Sequence, residues 1–254
     1  MPRGSPATET FDGAAIRVLV WNLYKSKLPG WRDDFAALAN DHDLLLLQEG
    51  YWDAETQPWF TRLPGIGWWL GVTFEYTHCS PHPVTGTVLG SRATPLGPIL
   101  SLHSPYREAL TGTPKSFIAA TFRVSGATEP LLAVSVHGTN LHIDETAFDR
   151  HMDQVLDRVG RHRGPVVLAG DFNTWSSGRL AYLLAGTAAL GLESVFDSGL
   201  SSEPGDGRLT WGGHYLDHAF VRGLVVRPGA KVLGTVTSSD HAPLSFVVAI
   251  PGSS

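Results

Sequence analysis

The hexapeptide Gly170-Asp171-Phe172-Asn173-Thr174-Trp175 places a carboxylate and a carboxamide two residues apart, directly after the apolar run from Pro165 to Ala169. In extended backbone such residues point to one side. Asp171 and Asn173 therefore suit divalent-metal, water and phosphate chemistry. Asp and Asn are also common turn residues, and for this segment alone a capped turn is the leading reading. Other positions repeat the pattern. Asn22 closes Val18-Leu19-Val20-Trp21, and Glu49 closes the run from Leu44 to Gln48. His137 and Asn140 follow Leu131 to Val136, Asp217-His218 opens Ala219-Phe220-Val221, and Asp240-His241 opens Ala242-Pro243-Leu244. Any one of these marks only a strand leaving the core. Their recurrence, with almost no Lys, points to a shared rim, because the loops of a sheet sandwich gather at its two ends.

The elements that must hold these residues follow from periodicity. Strands are expected at Ile16 to Trp21, Leu44 to Leu47, Gly67 to Val72, Thr87 to Leu89 and Ile99 to His103. Phe117 to Val124 and Leu131 to Val136 read as a hairpin. Val166 to Ala169, ended by Gly170, Ala219 to Val221, stretches around Val232 and Val236, and Leu244 to Ile250 complete the set. Helices are expected at Trp31 to Asn40, Asp144 to Arg161 and Arg179 to Ala189; in the second, Phe148, Met152, Val155, Leu156 and Val159 form one apolar stripe. Residues 1–13, rich in Pro, Gly, Ser and Thr, read as a flexible N-terminal segment. No repeat or linker divides residues 14–254, which are expected to form a single α+β domain.

Composition narrows the function. Of 254 residues, 43% are hydrophobic and 17% charged, as in a globular protein with a large core. The net charge of −5 disfavours a non-specific grip on long duplex DNA. One cysteine, Cys79, allows no internal disulfide and fits a reducing compartment. No apolar leader and no run long enough to span a membrane are visible, so a cytoplasmic protein is expected, with no membrane span and no obligate protein partner. His-Glu-x-x-His, Gly-x-Ser-x-Gly and Walker-type signatures are absent.

Taken together, Trp21-Asn22-Leu23-Tyr24-Lys25, Leu47-Gln48-Glu49, Gly86 through Arg92, Val136-His137, the hexapeptide at 170–175, Leu216-Asp217-His218-Ala219-Phe220 and Ser239 through Leu244 resemble the endonuclease/exonuclease/phosphatase superfamily, the metal-dependent phosphoesterases of the pancreatic deoxyribonuclease fold. They arrive in that superfamily's order across residues 16 to 250. Val18 to Lys25, Pro165 to Asn173 and Leu216-Asp217-His218 resemble its bacterial YafD-like branch. The resemblance implies a four-layer α/β/β/α sandwich of two packed, mainly antiparallel sheets flanked by helices, with the active site at one rim.

It also implies roles. Glu49, Asn22 and Asp240 would hold Mg²⁺, with Mn²⁺ as a substitute; hard cations prefer oxygen ligands. Glu49 is otherwise an exposed acid and Asp240 a turn or cap acid. Asp171 would orient or deprotonate the attacking water, and Asn173 would hold the water or a phosphate oxygen. Asp217 would fix the tautomer of His241, and His137 would face the phosphate as a possible general acid. Asn140, Trp175 and Arg92 are candidates for substrate contact, although solvated surface is the default for Arg92, Lys25 and Lys115. Arg150 is expected to tie its helix to a sheet. The activity implied is hydrolysis of phosphodiesters, as a nuclease or phosphodiesterase acting on nucleic acid or a small phosphoester. The alternatives are a lipid or sugar phosphoesterase, weakened by the lack of an obvious hydrophobic hairpin, and a non-catalytic module of the same fold.

Overall fold

Alternation along the strands splits their apolar residues between two faces, and this split builds the layers. The computed structural model describes residues 3–78, 82–109, 111–140, 145–196 and 207–253. Ten longer strands carry the fold: β1 (Ile16–Asn22), β2 (Leu44–Trp52), β3 (Gly67–Glu75), β4 (Val84–Ser91), β5 (Leu100–Arg107), β6 (Pro114–Val124), β7 (Leu131–His137), β8 (Val166–Asp171), β9 (Asp217–Arg222) and β10 (Leu244–Ala249). One sheet runs β3-β4-β2-β1-β10 and the other β9-β8-β7-β6, with β5 also paired to β6. Two-residue strands extend the edges of both.

Val18, Val20, Leu44 and Leu46 of the first sheet meet Ala133, Val167, Ala169 and Val221 of the second in a core between the sheets. Their neighbours face outward. Leu19, Trp21, Leu45 and Leu47 pack on Trp31, Phe35 and Ala39 of helix α1 (Trp31–Asn40) and on Phe60 of α2 (Gln57–Thr61). Leu132, Val134, Val166 and Leu168 pack on Phe148, Met152, Val155 and Val159 of α3 (Thr146–Gly160) and on Leu183 of α4 (Ser177–Ala189). Three apolar interfaces thus separate four layers, α/β/β/α. Phe148 and Phe35 are fully buried, and truncating such a residue to Ala costs about 3–5 kcal/mol.

The structure corrects several expectations. From Arg3 on, the N-terminal segment has sheet partners that its composition does not suggest: Arg3–Gly4 pairs with Trp68 and Gly67, Thr10–Phe11 pairs with Arg123 and Val124, and Phe11 is buried between the sheets. Its composition reads as loose, but its backbone amides and carbonyls serve sheet edges whatever the side chains are. Gly170 lies inside β8 instead of ending it; a Cβ there would stand 2.0 Å from the Val136 carbonyl oxygen, so only Gly admits this close pairing. Val236 is not in a strand. Arg150 pairs with Asp153 of its own helix at 3.8 Å, both exposed, instead of reaching a sheet. The expected helix start at Asp144, the lone Cys79 and most of the loop at 198–214 fall outside the described residues. Among the described residues, no helix is long and apolar enough to cross a membrane.

Candidate active site

Each sheet has a parallel pair at its centre, β1 with β2 and β7 with β8. Parallel neighbours finish at the same rim, which gathers Asn22, Glu49, His137 and Asp171. The antiparallel partners β9 and β10 start at that rim. Asp217 therefore stands opposite Asp171, and Leu244 opposite Val20 brings Asp240 and His241 just upstream. A bulge aims Glu49: Leu47 pairs with Val88 and Gly50 with Gly86, so Gln48 and Glu49 together oppose Thr87. Gln48 turns inward to donate to Ser135 Oγ at 3.0 Å.

Asp171 is the centre of the cluster. Its Oδ2 accepts from Asn22 Nδ2 at 3.0 Å and lies 3.5 Å from His137 Nε2 and 3.8 Å from His241 Nε2. Its Oδ1 accepts from the Asn173 backbone N–H at 3.0 Å. The hexapeptide therefore forms a turn, and that turn places Asp171 within the polar cluster. Asn173 is not extended, however: its φ of 54° is left-handed, and its side-chain amide donates to the Gly138 carbonyl at 3.0 Å. His241 Nδ1 bonds Asp217 Oδ2 at 2.7 Å. Beside them, Lys25 Nζ meets Glu49 Oε2 at 2.5 Å, and Lys115 Nζ meets His137 Nε2 at 2.8 Å. His137 Nε2 is 3.9 Å from Glu49 Oε1.

These contacts spread the proton affinities. Burial raises the Asp171 carboxyl to about 6, with Asp217 adding to the rise and His241 opposing it. Burial works against the His241 imidazolium, but Asp217 and Asp171 overcome it and lift His241 to about 10. Burial, then Lys115 and Lys25, hold His137 well below the usual imidazole range. Burial raises Glu49, yet Lys115 and Lys25 outweigh it and leave the carboxyl below its ordinary value. Asp240, at the open edge, is raised by partial burial and by Glu49 against the pull of His241.

Backbone strain collects here too. Among the described residues, the only non-glycine positive φ values are at Tyr24, Lys25, Ser26, Glu49 and Asn173, all at this rim. Such conformations cost of order 1 kcal/mol each or more and persist where surrounding structure enforces them. Arg179 enforces one. Fully buried, it donates to the carbonyls of Thr139, Asn173 and Asn140 and stacks on Trp175, with Cζ 4.2 Å from the ring. Trp175 also donates to the Asn140 carbonyl at 3.3 Å, so this tryptophan braces the loops. Asn140 contributes its backbone, its amide donating to Glu108 Oε1 at 2.7 Å. A hairpin of Thr210–Trp211 and His214–Tyr215 adjoins; Tyr215 and Leu216 carbonyls bind Thr174 and Phe172, and Trp211 is 69% exposed.

The structure does not bring Arg92 to this cluster. Arg92 follows β4, which is antiparallel to β2, and so emerges at the far rim, where it donates to the carbonyls of His42, Asn40 and Pro64. Conversely, Lys25 and Lys115, expected on solvated surface, stand inside the site, and Arg179 was no candidate. Lys115 is legible from the hairpin: one more register step beyond Phe117 and Val136 pairs Ser116 with His137.

The chain belongs to the Endonuclease/Exonuclease/phosphatase family, matching it over residues 19–241. More particularly, it is similar to a UPF0294 protein of Vibrio cholerae (El Tor Inaba N16961), 31% identical over 242 residues that cover 94% of this chain and 80% of the relative. Two solved structures share the fold. The endonuclease/exonuclease/phosphatase from Beutenbergia cavernae has a TM-score of 0.71 at 20% identity, covering 94% of this chain and 72% of that one. The human Nocturnin catalytic domain has a TM-score of 0.64 at 21% identity, covering 93% of each chain.

Proposed function

We propose that this protein hydrolyses phosphodiester bonds with the help of a divalent cation, on nucleic acid or a small phosphodiester. The observation that carries the reading is the setting of Asp171, a buried carboxylate held by Asn22 and faced by two imidazoles. A base raised to about 6 is ionised at neutral pH yet basic enough to accept a proton from water.

The donor set fits a hard cation. Among the described residues, no three His, Cys, Asp or Glu side chains converge as a closed cage. Mg²⁺ needs none, since it takes one or two carboxylates and keeps several waters. The Lys25 ammonium already sits against Glu49 as a cationic stand-in. Glu49 and Asn22 would hold the ion, with Asp240 at the open edge, and the ion would neutralise charge on the phosphoryl oxygens.

The chain's own groups do the rest. Asp171 takes the proton of a water aligned for in-line attack, while Asn22 and the Asn173 amide fix its carboxylate. His241, charged and held by Asp217, keeps Asp171 ionised and presents Nε2–H to the growing charge on phosphate. Gly138 lets the His137 loop close against the Asp171 loop, for a Cβ there would stand 2.2 Å from the Phe172 carbonyl oxygen.

The test is hydrolysis of plasmid, single-stranded DNA, bis-nitrophenyl phosphate and choline phospholipid with Mg²⁺, Mn²⁺ or EDTA. Metal-dependent cleavage of a phosphodiester is expected. No cleavage of any phosphoester with either metal would overturn the reading, and turnover of the phospholipid alone would replace it with a lipid phosphoesterase.

A further inference from the structure

Departure of an alkoxide from phosphorus needs a proton donor, and the Lys115–His137 contact limits which group can be that donor. An ammonium has three N–H donors and no acceptor. At 2.8 Å from Lys115 Nζ, His137 Nε2 is therefore the acceptor and carries no hydrogen, which leaves the ring proton on Nδ1. His137 cannot protonate a leaving group from its site-facing nitrogen. The other cations lie elsewhere: His241 is held by Asp217 through Nδ1 and faces Asp171, on the side of the attacking water, and Lys25 lies beside Glu49, the carboxylate assigned to the ion. Lys115 is half-buried at the rim, on the strand next to His137, and the His137 bond uses one of its three N–H groups.

Building on the phosphodiesterase reading, we propose that Lys115 is the general acid for the leaving oxygen and that His137 is the positioning residue that aims it. The step balances. Water oxygen forms a bond to phosphorus as its proton passes to Asp171. The bond from phosphorus to the leaving oxygen breaks, its electron pair stays on that oxygen, and Lys115 Nζ supplies the proton. The neutral amine recovers a proton from solvent.

Two measurements test this. The first compares wild type, Lys115→Arg and Lys115→Met on a dinucleotide, whose leaving group is an alkoxide, and on bis-nitrophenyl phosphate, whose leaving group departs without a proton. Losing a general acid costs roughly 10²–10⁴-fold. Loss of that size is expected in kcat on the dinucleotide for both variants, with less than about tenfold on the nitrophenyl ester and little change in KM for Lys115→Arg. Equal losses on both substrates, or none on the dinucleotide, would overturn the acid role. The second needs no turnover: nitrogen NMR of the metal-free protein should show His137 Nε2 unprotonated in wild type and a changed ring signature in Lys115→Met. An unchanged His137 spectrum would overturn the pairing even in an active enzyme. If wild type cleaves neither ester, the phosphodiesterase reading falls and the acid with it, while the spectrum still reports the pair.

Discussion

The two ends of the sandwich use the same materials for opposite ends. At the far rim, Arg92 and Arg222 bind main chain. Arg92 takes the carbonyl of Asn40, the last residue of α1, while Arg222 takes those of His162 and Leu190, just past α3 and α4. Cations at helix C-termini satisfy carbonyls that the helix leaves open. Arg17 grips Asp43 through two contacts of 3.1 Å. At the near rim Arg179 likewise binds carbonyls, but Lys25, Lys115 and His241 take ionisable side chains of the cluster as partners. The left-handed non-glycine backbone described above is also confined there. One end closes off its polar groups, and the other keeps them reactive at a cost in strain and burial.

The sharpest way to break this contrast is Asp171→Asn. Activity should fall by roughly 10²–10⁴, as for loss of a general base, while denaturation midpoints hold or rise because a buried charge is removed. Comparable loss of activity and stability would show the near rim to be structural. Arg222→Met asks the converse: about 1 kcal/mol of stability lost as half-buried carbonyls lose their donor, read by denaturant titration, with kcat of the folded enzyme unchanged.

A third expectation concerns pH. His241 is raised from 6.5 to about 10, so the folded state holds its proton more tightly than the unfolded chain. The stability this gives is complete below about pH 6.5 and is lost as pH climbs towards 10. Urea midpoints of the metal-free protein should decline across that window, and the decline should flatten in Asp217→Asn. An identical slope in the variant would mean that the pair is not linked to folding. The smallest effect is expected from Trp211→Ala on the exposed hairpin: a KM increase of about 5- to 30-fold on dinucleotide if its indole stacks on a base, which corresponds to ~1–2 kcal/mol, and no change in stability.

The layers were legible because they follow periodicity. The helix from Trp31 to Asn40 has the bounds that its Phe35, Leu38 and Ala39 spacing implies, and the hairpin of β6 and β7 pairs as expected. Strand-end residues were legible as a set, since Asn22, His137, Asp171, Asp217 and His241 do converge. Arg92 was misplaced because motif order along the chain does not say which end of a strand is meant; the antiparallel sense of β4 does. The bulge at Glu49 and the left-handed Asn173 leave no mark in hydrophobic pattern. Lys25 and Lys115 were set aside because a lysine at a strand end is ordinarily solvated, and only cross-strand register shows what stands beside it.

The parallel pairs at the centre of each sheet have a further consequence. Asn22 and Asp171 are 149 residues apart, and Trp21 donates to the His241 carbonyl across 220 residues. Contacts of such separation form late, after the cost of closing long loops has been met. During synthesis the first sheet lacks β10, and Asp217 lacks its imidazole partner, until the segment from His241 to Ala249 has emerged. The cluster around Asp171 is thus complete only once that segment has joined the sheet, and its assembly would serve as a clock for folding.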